Sequence, residues 1–223
     1  RQGCSRCCGL APGRSLWRHL AARGKGTRMY TVIGTVKSRA LRVIWMLEEL
    51  GVPFEHIAAP PRSEGVTAVN PAGKVPVLIA DGVPITDSTA ILTFLADRHG
   101  RFTHPAGTLD RARQDSLTQF LLDEFDAALW MAARHSFILP PELRHSAVKD
   151  TLKWEFARSC ATLVGRMGQG PFLMGETMTV PDIILAHCLV WAEGAKFPVD
   201  APELRDYSAR LRARPAFLRA SAR

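Results

Sequence analysis

The 223-residue chain is 47% hydrophobic, long enough for one or two domains with a real core, and no apolar run approaches the about 18 residues of a membrane span. Its net charge of +8 points to a polyanion partner only until the charges are located: residues 1–28 hold seven Lys/Arg and no acid, and the remainder carries 22 basic against 21 acidic residues. The body is therefore nearly neutral, and nothing supports nucleic-acid binding by the folded part.

Segment 1–28, rich in Arg, Gly and Ala, has no sustained hydrophobic period and reads as disordered. It lacks the compact apolar stretch of a secretory signal. Its Arg-rich, acid-free composition suits an organelle transit peptide, but the favoured reading is that Met29 is the true start and the leader a translated upstream region. Cys4, Cys7 and Cys8 have no second Cys/His pair at ligand spacing, and His19 does not complete a set, so no metal site is expected. Cys160 and Cys188 lie in helical patterns and read as buried thiols of a reducing compartment.

From Met29 the pattern tightens. Met29 to Gly34 is a strand, 35–38 a loop, and Arg39 to Leu50 a helix with Leu41, Ile44, Trp45 and Leu47 at helical spacing, ended by Gly51. Pro53 to Ala58 is a second strand, and 60–69 holds a short irregular helix. Asn70-Pro71 breaks it. Val75-Pro76-Val77-Leu78-Ile79 is a buried strand with proline at its tolerated first positions, Asp81-Gly82 a hairpin turn, and Val83-Pro84-Ile85 the return. Thr86-Asp87-Ser88 then caps a helix over about 87–99. Residues 100–109 read as a linker. Beyond it the chain turns wholly helical: one long amphipathic helix from Asp110 to about Phe137, stopped by Pro140-Pro141, another from Glu142 to Met167, a third over 180–193 opened by a Thr179/Asp182 capping box, and one or two short helices over 202–220. Trp154 and Trp191 read as core residues.

The element from Asn70 to Ser88 resembles the second half of the thioredoxin-like domain of the cytosolic glutathione S-transferases, which carries N-P-x-G-x-V-P-x-L with a cis proline and an acidic or amide residue followed by Ser at a helix start. The Phe172-Leu173-Met174-Gly175-Glu176 run before the capping box is similar to the same family's helical domain, so the resemblance covers roughly 29–220. It implies an α/β thioredoxin-like domain (29–99), a linker (100–109) and an all-helical domain (110–223).

The resemblance also assigns roles. Ser38 follows the first strand in the register of the serine-type classes, common among bacterial members, and is expected to stabilise the glutathione thiolate; Thr35 is the alternative donor, and an ordinary helix cap the plainer reading of Ser38. Tyr30 lies within the strand, not after it, which argues against a tyrosine mechanism. Val75 and cis Pro76 are expected to pair with the cysteinyl backbone. Asp87 would take the γ-glutamyl ammonium, Ser88 its carboxylate, and Lys74 or Arg62 the glycyl carboxylate. Trp130, Arg134 and His135 are candidates for the electrophile site, although core packing is the expected fate of Trp130 and of Phe137. Glutathione is thus the expected co-substrate, with a small hydrophobic electrophile, no metal, a homodimeric assembly and a cytoplasmic location. The rivals are an isomerase, dehalogenase or reductase on the same site, and a non-catalytic regulatory module. Ser at position 38 argues against a cysteine-based reductase.

Overall fold

The computed structural model describes Tyr30–Arg223; the readings of the leader, its cysteines, His19 and Met29 lie outside the described residues. Four short strands, β1 (Tyr30–Ile33), β2 (Phe54–Ile57), β3 (Val77–Ala80) and β4 (Val83–Thr86), form one mixed sheet in the order β2-β1-β3-β4. β1 and β2 are parallel, so a crossover must join them, and helix α1 (Ala40–Leu50) supplies it. The other two pairings are antiparallel. Side-chain alternation sorts the faces: Val32, Leu78 and Ala80 point to the main core, while Ile33, Val77 and Ile79 pack with Val66 and Val69 around the short α2 (Glu64–Thr67). Asp81 and Gly82 both have positive φ, 51° and 78°, as a two-residue hairpin turn of this hand requires.

Helix α1 is buried over most of its surface, and three helices pack on it. It contacts α3 (Ser88–His99) behind the sheet, α7 (Val180–Gly194) of the bundle and the terminal α9 (Pro215–Ser221). Trp45 meets Phe217 edge-to-face at 5.1 Å, and Glu48 and Glu49 at the end of α1 pair with Arg219, Arg223 and Arg214. A single hydrophobic cluster runs from the sheet through α1 to Phe125, Phe156 and Ile184. The remaining helices are α4 (Leu109–Leu121), α5 (Ala127–Ala133), α6 (Val148–Arg166) and α8 (Pro202–Arg212).

The expected fold class holds, with several local corrections. The helix expected from Asp110 to Phe137 is interrupted by two π-helical stretches, Leu122–Asp126 and Arg134–Ile138, where Ala127 and Leu139 donate to carbonyls five residues back. The helix expected from Glu142 begins only at Val148; Pro141–Leu143 is a single 3₁₀ turn, and Arg144 is extended because its guanidinium bonds back to the Leu139 and Phe137 carbonyls. Trp154 is 60% exposed, not core: it lies across the helix from buried Leu152 and Phe156, under the Arg158 guanidinium. Phe137, in the second π stretch, is likewise 66% exposed. No helix among the described residues is long and apolar enough to cross a membrane.

Asp182 fixes the start of α7. Its carboxylate is fully buried and accepts from the Thr179 N–H (2.6 Å), the Thr179 hydroxyl (2.9 Å), the Leu173 N–H (2.8 Å) and the Tyr207 hydroxyl of α8. The capping residue therefore also ties the 172–175 turn and α8 to the bundle. Asp182→Ala orphans these donors together and is expected to lower stability by about 3 kcal/mol in urea denaturation.

Candidate functional site

The loop between β1 and α1 is held from below. The Gly34 carbonyl bonds the His56 ring at 2.7 Å, and a Cβ on Gly34 (φ 145°) would stand 2.8 Å from that of Ala40 and 3.0 Å from that of Val75. Only glycine lets the loop approach Val75 so closely. The Val75–Pro76 peptide is cis, as the resemblance implied, and Val75 remains partly exposed. Ser38 is also partly exposed. Its hydroxyl donates to the Thr35 carbonyl at 2.7 Å and accepts from the Ala40 N–H at 3.1 Å, so it braces the turn that leads into α1, whose N-cap position is Arg39. Tyr30 is buried, its hydroxyl paired with His99 at 2.9 Å.

Asp87 caps α3, taking the Thr89 and Ala90 N–H groups on one carboxylate oxygen at 2.8 and 3.1 Å, with φ of 71°. Ser88 beside it is buried, and its hydroxyl accepts from the Arg42 guanidinium at 3.4 Å.

Arg42 is the residue that sequence reasoning passed over. It is fully buried in α1 and pairs with Asp126, at the end of the first π stretch. The same nitrogen reaches His187 Nδ1 at 3.1 Å and Cys188 Sγ at 3.4 Å on α7. Arg39 binds the other side of the Asp126 carboxylate, and its guanidinium also faces the rings of Trp130 at 5.2 Å and Trp191 at 5.0 Å. Trp130 is thus a partly buried partner of an arginine and not a core residue, while Trp191 is partly buried, packs against the core and meets the same guanidinium. Burial alone would raise the Asp126 carboxyl, but the Arg39 hydrogen bond and the charges of Arg42 and Arg39 hold it at about 2. Burial, then the Arg42 charge, keeps His187 neutral well below its usual range, with a hydrogen bond to the Ser38 backbone opposing them. Neutral His187 can therefore accept from Arg42 on Nδ1. Burial pushes the Cys188 and Cys160 thiols up to about 12 each, and both are buried, as expected. The clues in the sequence were an arginine inside the apolar run Leu41–Leu47 and an aspartate between Phe125 and Ala127; neither named its partner.

Above this network lies a cavity of about 780 Å³ between the two halves of the chain. Arg62 and Lys74 border it on the sheet side; Trp130, Arg134, Arg144 and the run Ile138–Pro141 form the opposite wall. The structure thus gathers two of the predicted glutathione ligands with two of the predicted electrophile residues. His135 is not part of that lining: its ring accepts the His145 N–H at 3.1 Å and contacts the His145 ring.

This pairing of a four-stranded α/β half and a helical bundle, with a cleft between them, is that of the glutathione transferases. The sequence model for the glutathione S-transferase N-terminal domain matches residues 38–98 and that for its C-terminal domain matches 147–210, together more than half of the chain. The chain belongs to the glutathione S-transferase family. Glutathione S-transferase 3 of Schizosaccharomyces pombe is 40% identical over 74 residues, 31% of this chain, and the match spans only 30% of that relative's length. Among solved structures, a glutathione transferase of Methylococcus capsulatus is 26% identical with a TM-score of 0.74, covering 86% of this chain and 97% of that one. A sphingomonad glutathione S-transferase complexed with glutathione is also 26% identical, with a TM-score of 0.72 and the same coverage.

The charge network makes a prediction. A carboxylate whose pKa is depressed on folding adds stability above its unfolded value near pH 4, lost as pH falls toward 2; for Asp126 this is about 2 kcal/mol. Asp126→Asn leaves Arg42 buried without a counter-charge and is expected to lose about 3 kcal/mol at pH 7. Its urea midpoint should also fall less between pH 4 and pH 2 than that of the wild type.

Proposed function

We propose that the protein conjugates glutathione to small electrophiles as a glutathione S-transferase. The observation that supports this reading is the cis Val75–Pro76 step beside Gly34, and with it go the Ser38 turn before α1 and the Asp87–Ser88 start of α3. Val75 would pair its backbone with the cysteinyl residue. Asp87 has a second carboxylate oxygen for the γ-glutamyl ammonium. The start of α3 suits the neighbouring carboxylate, and Arg62 or Lys74 the glycyl one.

A free thiol has a pKa of about 8.5, and lowering it by two units takes about 2.7 kcal/mol. The Ser38 hydroxyl would exchange the Thr35 carbonyl for the sulfur, and the N-terminus of α1 would add its partial positive charge. Thiolate attack on the electrophile then forms the C–S bond as the leaving group departs; no metal or nucleotide is needed. We place the protein in the cytoplasm as a homodimer, with the boundary between its domains in 100–109.

Two measurements test this. Immobilised glutathione should retain the protein, and failure to bind glutathione at millimolar concentration ends the transferase reading. With a generic aryl halide, Ser38→Ala should lower kcat/KM about 100-fold and Thr35→Ala only slightly; the reverse order would move the thiolate-stabilising role to Thr35. Asp87→Ala should raise the KM for glutathione about tenfold.

A further inference from the structure

The cleft carries more positive charge than glutathione needs. Among the described residues, Arg62, Lys74, Arg134 and Arg144 line it, and no carboxylate does. Among the described residues, none of Arg62, Lys74 and Arg134 forms an ion pair. Arg144 is anchored by the Leu139 carbonyl at 2.7 Å and the Phe137 carbonyl at 3.3 Å, which fix its guanidinium without neutralising it. Glutathione brings two carboxylates and one ammonium. On the reading above, the ammonium goes to Asp87, one carboxylate to the start of α3, and the other to Arg62 or Lys74 on the sheet side. Arg134 and Arg144 stand on the helical wall, beside Trp130 and the apolar run Ile138–Pro140, where the electrophile would lie.

We infer that the electrophile is an apolar molecule bearing its own carboxylate, with its hydrophobic body against Trp130 and Ile138 and its carboxylate at Arg134, supported by Arg144. This rests on the transferase reading and adds to it a substrate class. Two like charges on one wall raise the local potential of a half-enclosed cleft, and an arginine presents a fork of donors that matches a carboxylate. An electrophile without an anion leaves both guanidinium groups without a counter-charge. The preference should therefore appear as discrimination between two molecules of the same shape that differ only in charge.

The test uses 4-chloro-3-nitrobenzoate and 4-chloro-3-nitrobenzamide. In each, the glutathione sulfur displaces chloride, which leaves with its electron pair, and the thiol proton passes to solvent. Each kcat/KM is divided by the uncatalysed rate with glutathione, because the amide activates the ring more strongly. The normalised ratio should favour the benzoate about tenfold or more and fall as salt is raised. In Arg134→Gln the ratio should collapse toward one, and Arg134→Lys should restore part of it. Calorimetric titration with unreactive 3-nitrobenzoate and 3-nitrobenzamide, on the free protein and on protein saturated with S-methylglutathione, reads the same preference without turnover. Equal rates and equal affinities for the two compounds overturn the inference. So does an Arg134→Gln variant that keeps the ratio but raises the KM for glutathione, which would make Arg134 a glutathione ligand. If neither chloride is turned over and S-methylglutathione does not bind, the transferase reading fails; titration of the free protein with the nitrobenzoate and nitrobenzamide then still decides whether the cleft selects an anion.

Discussion

A guanidinium withdrawn wholly from water must be answered by a carboxylate, and in this fold the answer comes from the other half of the chain. Arg42 lies in the crossover helix of the sheet half, while Asp126 lies in the bundle. Helix α1 cannot bury its apolar faces without burying Arg42 among them. The bundle must therefore dock with Asp126 in place, or the charge is left unpaired. Arg39 closes the carboxylate from the other side and stacks against Trp130 and Trp191, so the same contact sets one wall of the cleft. His187 on α7 meets the same guanidinium at 3.1 Å. Domain docking and the packing at the start of α1 thus both answer one electrostatic requirement.

The π-helical stretches belong to this arrangement. Asp126 closes the first and Arg134 opens the second, and each stretch displaces the side chains that follow relative to an uninterrupted α-helix. Asp126, which answers the buried Arg42, and Arg134, which lines the cleft, thus both sit at departures from regular helix.

That is also why the sequence was readable in one half and less so in the other. The sheet half is punctuated by residues with single conformational meanings: Asn70-Pro71, Asp81-Gly82 and the cap at Asp87 each dictate a local shape, and the strands between them followed. Apolar periodicity in the bundle marked buried Leu152, Phe156 and Leu163 but could not reveal a change of helical type, so the long helix was drawn as regular and Phe137 as core. Trp154 has the residue type of a core position, but its angle from Leu152 turns it to solvent. The candidate site was legible where short motifs carried it. Arg42, Asp126 and His187 escaped because a buried ion pair is a relation between distant positions, and a single sequence shows one position at a time. Arg144 escaped because its bonds to the Leu139 and Phe137 carbonyls depend on a turn that the two prolines hid.

The two family domains match separate stretches of the chain, yet the molecule does not come apart where they do. Helix α1 is sequence property of the first domain and physical property of both, since the bundle supplies much of its packing and the counter-charge of Arg42. Recombination among relatives has to respect that joint. A chimera taking its helical domain from a relative is compatible with this sheet half only if the donor also presents an acid to α1 at the level of Asp126. The unit of inheritance in this chain is the matched pair, not the domain.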